Sequence, residues 1–329
     1  MSDIPPTPPT HVADLIELIK EIADKLVGDH TSRGDLKILS RALLELRYAF
    51  KVFQPYRYTR KVTVFGSART APDQSAYRQA FEFGRAMAAH DWLVITGAAN
   101  GIMEAGHAGA GRDHSMGLNI LLPFEQSANP IIAGDRKLVY MKYFFTRKLM
   151  FVKESDAFCL MPGGFGTLDE GLEVLTLLQT GKHDMMPVVL LDEPGGDYWQ
   201  MFDDFVHRQL LDRGMISRED LSLYRRTDRV EEAVDEILNF YRVYHSMRYV
   251  RTNLVLRLQQ TPDAAQLETM HERFGDILID GRFVVSEPLP EEREEKHLTE
   301  LPRLVFHFNR HDFGRLRQLI DFINAGARD

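Results

Sequence analysis

The chain has 329 residues, enough for about two domains, because a single core rarely grows past ~250–300 residues. Its 44% hydrophobic and 27% charged residues are ordinary for a soluble globular protein. The net charge of -8 argues against a general nucleic-acid binder, which carries a basic face. Cys159 is the only cysteine, which excludes an intrachain disulfide and fits a reducing cytoplasm. Its apolar setting, AFCLM, reads as inert core, since a thiol nucleophile needs an exposed, electropositive site. The histidines show no HExxH or paired CxxC spacing, so no metal site is read. No apolar run approaches the ~18–20 residues of a membrane span.

In chain order, MSDIPPTPPT is polar and proline-rich, without the charged-then-apolar order of a signal peptide. It reads as a disordered tail over residues 1–10, and a cytoplasmic location is expected. VADLIELIKEIADKLVGD then places Leu15, Ile16, Ile19, Ile22 and Leu26 near helical spacing. With DLKILSRALLELRYAFKVF it predicts a helical hairpin over 11–54. From Lys61 short strands rich in Val, Ile and Leu alternate with helices: KVTVFGSAR, WLVITGA, GLNILLP, KLVYM, AFCLMPGG and MPVVLLDE are the strands. LSLYRRT reads as a short strand and RVEEAVDEILNFYRVYH as the helix after it. This order predicts an α/β fold over 55–247, a Rossmann-like, doubly wound parallel sheet covered on both faces. Residues 248–329 read as strand, helix, strand, charged loop, strand and helix, a small α+β accessory domain. Its PEEREEK loop reads as a solvated charge run.

Three strand ends carry unusual turns: FGSAR, TGAANGIMEA and PGGFGTLDE. In open α/β sheets ligands bind beyond the carboxyl ends of strands. Glycine lets a ligand approach the backbone, and a helix that follows offers unpaired N–H groups with partial positive charge. Such turns suit a phosphate. GxxxxGK[ST] is missing, and GSARTAP stands where a GxGxxG would follow the first strand, so a nucleoside monophosphate fits better than a triphosphate or a dinucleotide.

PGGFGTLDE matches the PGGxGTxxE motif, and the chain resembles the LOG (Lonely Guy) family of nucleoside 5′-monophosphate phosphoribohydrolases, relatives of which were long labelled lysine decarboxylases. GIMEA, GLNILLPFEQSANP and YFFTRK resemble further blocks of that family, in its order. The resemblance covers about residues 60–240. It implies a Rossmann-like fold, homo-oligomeric assembly, no metal or organic cofactor, and hydrolysis of the N-glycosidic bond of a purine nucleotide, AMP or a cytokinin-type N6-modified AMP. The same superfamily fold also serves non-catalytic nucleotide- or molybdenum-cofactor-binding proteins, which is the alternative reading. No nucleic-acid or membrane partner is expected. Many relatives have TGGGPGIME at the second turn, where this chain has Ala98 and Ala99. Alanine restricts φ there, while Asn100 tolerates the left-handed region.

The roles follow from the chemistry the resemblance implies. Breaking a ribosyl–base bond builds positive charge on the sugar, as in glycosidases. A carboxylate near C1′ stabilises that charge and orients or deprotonates water. Glu170 is the expected carboxylate, placed in the first turn of its helix, where the dipole keeps it charged. Gly163, Gly164, Gly166 and Thr167 are expected on the phosphate, with Gly97, Gly101, Ser67 and Arg69 lining the nucleotide pocket. The resemblance implies Arg147 as the second catalytic residue and Glu104 as a third, at the ribose. Blander readings stand beside these. Thr167 to Glu170 also spells a capping box, Arg147 suits a solvated helix charge, and Phe144 and Phe145 read as core.

Overall fold

The computed structural model describes residues 10–122, 127–292 and 295–326. The expected tail at 1–10, apart from Thr10, lies outside them, as do residues 123–126 of the GLNILLPFEQSANP block. The chain divides into two compact units, residues 1–50 and 51–329. The first holds α1 (Thr10–Gly28) and most of α2 (Arg33–Phe53). Between them Ser32 Oγ accepts a hydrogen bond from Asp35 N (3.2 Å), which satisfies one of the free N–H groups of the second helix. Among the described residues no helix is long and apolar enough to cross a membrane.

The second unit begins as the alternation predicted. Its elements are β1 (Lys61–Phe65), α3 (Ser75–Ala89), β2 (Leu93–Thr96), α4 (Ile102–Ala110), β3 (Ser115–Ile120), β4 (Leu138–Met141), α5 (Phe144–Glu154), β5 (Ala157–Leu160), α6 (Phe165–Gln179), β6 (Val188–Leu191), α7 (Tyr198–Phe205), β7 (Arg225–Thr227) and α8 (Val230–Phe240). The strands form one sheet in the order β4-β3-β2-β1-β5-β6-β7, every neighbour parallel. This is the α/β Rossmann-like fold. Val62, Val64, Val94, Cys159 and Val189 pack one face of the sheet against Phe83, Met87 and Ile237 of α3 and α8. Burial raises the Cys159 thiol far above its ordinary range, so it is inert core as read.

One predicted helix is corrected. RVEEAVDEILNFYRVYH is not helical throughout: α8 stops at Phe240, and β8 (Tyr244–Val250) follows. Tyr244, Met247 and Val250 are the buried positions of that strand, and a register shift falls between Tyr244 and Ser246. Their spacing of three continues the helical period, and no glycine or proline intervenes. β8 joins β9 (Asn253–Leu258), β10 (Leu278–Ser286) and β11 (Arg303–Phe308) in an antiparallel sheet of order β10-β11-β9-β8, with α9 (Ala264–Phe274) and α10 (Phe313–Ala325). From β9 onward this is the ferredoxin-like βαββα order, with β8 filling the place of its last strand. The small sheet thus takes in residues before 248.

The PEEREEK loop is also corrected. Glu292 is buried, and it accepts from Arg257 Nε (2.9 Å) and Nη2 (2.8 Å) and from Arg303 Nε (3.2 Å). Two strand arginines that face inward need an acid, which the loop supplies. Residues 293 and 294 of the loop lie outside the described residues.

The small sheet is attached at the amino ends of the parallel strands. Arg60 joins Asp156, just before β5, to His245 O (2.6 and 2.8 Å). Asn324 of α10, buried, accepts from Val243 N and Tyr244 N (2.9 and 3.0 Å) and donates to Phe240 O (2.7 Å). Asn324→Ala is therefore expected to cost about 2–4 kcal/mol, because two backbone donors and an acceptor lose their partner in the interior. Urea denaturation checks this; an unchanged midpoint would show that the three bonds are replaceable.

Candidate active site

The chain crosses from one side of the sheet to the other between β4 and β5, which opens a crevice at the carboxyl ends of β1 and β5. The three glycine-bearing turns meet there and are bonded together. Ser67 N donates to Pro162 O (3.1 Å), and Ile102 N donates to Ser67 O (3.0 Å). Two glycines make this closeness possible. Gly101 has φ +66°, and a Cβ on it would lie 2.3 Å from Ser67 O; a Cβ on Gly163 would lie 2.2 Å from Thr167 Oγ1.

In the second turn Ala98, not Asn100, takes the left-handed conformation, with φ +58°. An alanine resists that region, so the surroundings hold it. Ala98 N donates to Thr96 Oγ1 (2.9 Å), and its carbonyl accepts from Asn129 N (2.8 Å). The Asn129 amide donates to Ala99 O (3.1 Å) and meets His107 Nδ1 (3.2 Å). Burial pushes the His107 imidazole down to about 4, so it is neutral in this network. The Ala98 methyl packs with Ala128, Ile132 and Leu138.

The turns border a cavity of about 640 Å³, within the usual range for small-molecule sites. Of the residues singled out in the sequence, Ser67, Arg69 and Gly97 line one part of it. Arg147, Gly164, Gly166, Thr167 and Glu170 line the rest. Three others lie outside this lining. Gly163 borders a neighbouring cavity and accepts from the Tyr198 hydroxyl (2.7 Å). Gly101 supports the turn from behind, and Glu104 is half-buried on α4, where its charge is felt by Tyr77 of α3. Nothing from the small antiparallel sheet reaches the cavity among the described residues.

α6 begins at Phe165 with Gly164 as its cap residue, and no side chain caps it. The capping-box reading of Thr167 and Glu170 is thereby overturned: both sit inside the helix, and both are buried. Because the helix starts two residues earlier than Thr167, Glu170 lies in its second turn, where the dipole has faded. Burial is then the dominant influence. It pushes the Glu170 carboxyl up to about 7, against the lowering effect of Lys148 and Arg147. The expectation that the dipole keeps Glu170 charged is corrected accordingly.

Two cations of α5 face this acid. Lys148 Nζ lies 4.0 Å from Glu170 Oε2 and 3.0 Å from Asp169 Oδ2, and also pairs with Glu173. Arg147 is half-buried over the rings of Phe144 (5.0 Å) and Phe151 (5.6 Å), and its Nε has no hydrogen-bond partner. Burial lowers its pKa and Glu170 opposes this, but a guanidinium stays protonated. Arg147 is therefore not a solvated helix charge.

The sequence reading missed Lys148, although it stands in the quoted YFFTRK, and Asn119, a lone polar residue in the apolar strand GLNILLP. Met103 and Leu122 add apolar lining. Phe144 and Phe145 are both exposed, so their reading as core is corrected; Phe144 lines the cavity, and Phe145 stacks on Tyr143 at 5.2 Å. No group of His, Cys, Asp and Glu that could hold a metal occurs among the described residues.

Comparison with known proteins gives five findings. Residues 96–237 match a family model described as possible lysine decarboxylase. A cytokinin riboside 5′-monophosphate phosphoribohydrolase of Arabidopsis thaliana is 33% identical over 165 residues, which cover 48% of this chain and 72% of the relative. A probable enzyme of the same name from Oryza sativa subsp. japonica is 29% identical, covering 55% and 68% respectively. Among solved structures, an X-ray structure from the Northeast Structural Genomics Consortium is 26% identical, with TM-score 0.38, over 54% of this chain and 97% of that one. The molybdenum cofactor carrier protein of Chlamydomonas reinhardtii is 22% identical, with TM-score 0.36, over 54% and 94%.

Proposed function

The chain belongs to the LOG family, and from that premise we propose that it hydrolyses the N-glycosidic bond of purine nucleoside 5′-monophosphates. AMP or an N6-modified AMP is the substrate, and free base and ribose 5-phosphate are the products. The observation that carries this reading is one cavity bordered by a glycine turn at a helix start, a buried acid and a fixed arginine: Gly164 to Thr167, Glu170 and Arg147.

The 5′-phosphate rests on the backbone N–H groups that open α6, with the Thr167 hydroxyl beside it. The sugar then lies between Glu170 and Arg147. As the C1′–N bond breaks, its electron pair leaves with the base and the sugar becomes cationic. Ionised Glu170 stabilises that cation and takes a proton from water, whose oxygen bonds to C1′. The base takes up a proton from solvent as it departs, and Glu170 returns to solvent the one it took from water, which restores its ionised form. Arg147 orients the sugar phosphate or assists the departing base.

Lysine decarboxylation, which the family model's description suggests, calls for an aldehyde cofactor held by a lysine. No lysine lines the cavity among the described residues, and Lys148 Nζ is engaged by Asp169 and Glu173. The site does not fit that group. The test is base release from AMP, GMP, IMP, CMP, UMP and N6-isopentenyl-AMP. Release from the adenine nucleotides is expected, and recovery of all six intact would overturn the proposal.

A pH dependence follows from Glu170. Because the ionised form is the active one and its pKa is raised to about 7, the rate should rise roughly tenfold per pH unit up to about 7 and level above it. Lys148 holds that pKa down, so Lys148→Met should move the acid limb to higher pH. A pH–rate profile of both proteins checks this; coincident limbs would remove Lys148 from the electrostatics of the site.

A further inference from the structure

Among the described residues, Asn119 is the one buried amide on the cavity that the chemistry above does not use. It stands near the end of β3, 4% exposed, and it lines the cavity. Its Nδ2 has no hydrogen-bond partner, which is uncommon for a buried polar group. Its neighbours along the strand, Leu118 and Ile120, are apolar.

Position indicates what the amide is for. The phosphate turn follows β5, and the order β3-β2-β1-β5 puts Asn119 three strands away, about 14 Å at the usual strand spacing of about 4.8 Å. A nucleotide runs from phosphate through sugar to base. With the phosphate on the α6 turn and the sugar between Glu170 and Arg147, the base lies over β2 and β3. Met103, Ile120, Leu122 and Phe144 of the same lining give a flat ring apolar surroundings. A half-turn about χ2 exchanges the two ends of the amide, so either can face the cavity.

Resting on the nucleotide reading above, we propose that Asn119 recognises the adenine base of that substrate. An asparagine amide offers one donor beside one acceptor, which complements a ring nitrogen beside an amino group. A singly N6-substituted adenine keeps one N–H for the same pairing. Asn119 is thus a specificity residue, and the phosphate and the sugar do not depend on it.

Binding separates these parts. AMP and ribose 5-phosphate would be titrated calorimetrically into the Glu170→Gln protein, so that AMP survives the measurement, and into the same protein carrying Asn119→Ala or Asn119→Asp. The aspartate variant keeps the side-chain shape while removing the amide donor, and thermal melts confirm that each is folded. A weakening of AMP by tenfold or more, with ribose 5-phosphate unchanged within about twofold, is the expected result. Equal weakening of both ligands, or of neither, would overturn the assignment, as would a protein that binds no AMP. Failure of hydrolysis would appear separately, as wild-type protein that binds AMP and never releases adenine.

Discussion

Glu170→Gln is expected to lower turnover of AMP by roughly 100-fold or more while the protein stays folded. That loss is ~2.7 kcal/mol of barrier. Glutamine keeps the size of the side chain and its place inside α6, but it cannot carry the negative charge that the sugar cation needs. The melt sharpens the test. Since burial raises the Glu170 pKa to about 7, the folded state holds the proton more tightly than the unfolded chain does. Stability then falls as pH rises from the ordinary glutamate range to about 7, and the full cost of the buried charge is present above that. At pH 8 the glutamine protein should melt at the same temperature as wild type or higher. At pH 5, where Glu170 is protonated, that advantage should vanish. Near-normal turnover in the variant would remove Glu170 from the chemistry.

Removal of the 5′-phosphate should be the other large effect. Adenosine is expected to have a kcat/KM at least about 100-fold below that of AMP, again ~2.7 kcal/mol. On the proposed reading the glycine turn at the start of α6 holds the phosphate, and the energy of that contact positions the sugar against Glu170. Steady-state rates on both compounds decide the matter; equal efficiency would leave the turn without a role.

Much of this was legible in the residues, for identifiable reasons. Strands buried on both faces read as continuous apolar runs rich in Val, Ile and Leu, so β2 and β6 stand out. The turns stand out because glycine marks close approach of backbone. What stayed hidden depended on three-dimensional neighbours. β8 was concealed because its buried residues stand three apart, the spacing of a helix. The PEEREEK acids looked solvated because Arg257 and Arg303, their partners, come from two different strands. The start of α6 decided the state of Glu170: three residues of extra helix at the amino end moved it out of the dipole's reach, and burial then raised its pKa. Phe144 read as core because aromatic pairs usually are, yet here it forms a cavity wall. Asn119 gave only the weak signal of one amide in an apolar strand.

The most direct measurement follows both halves of AMP at once. Wild-type protein would be incubated with AMP, and adenine, ribose 5-phosphate, adenosine and inorganic phosphate quantified in the same sample. Adenine and ribose 5-phosphate in a one-to-one ratio, with no adenosine or inorganic phosphate, is the expected result. AMP recovered intact, or adenosine formed with inorganic phosphate, would contradict cleavage at the glycosidic bond.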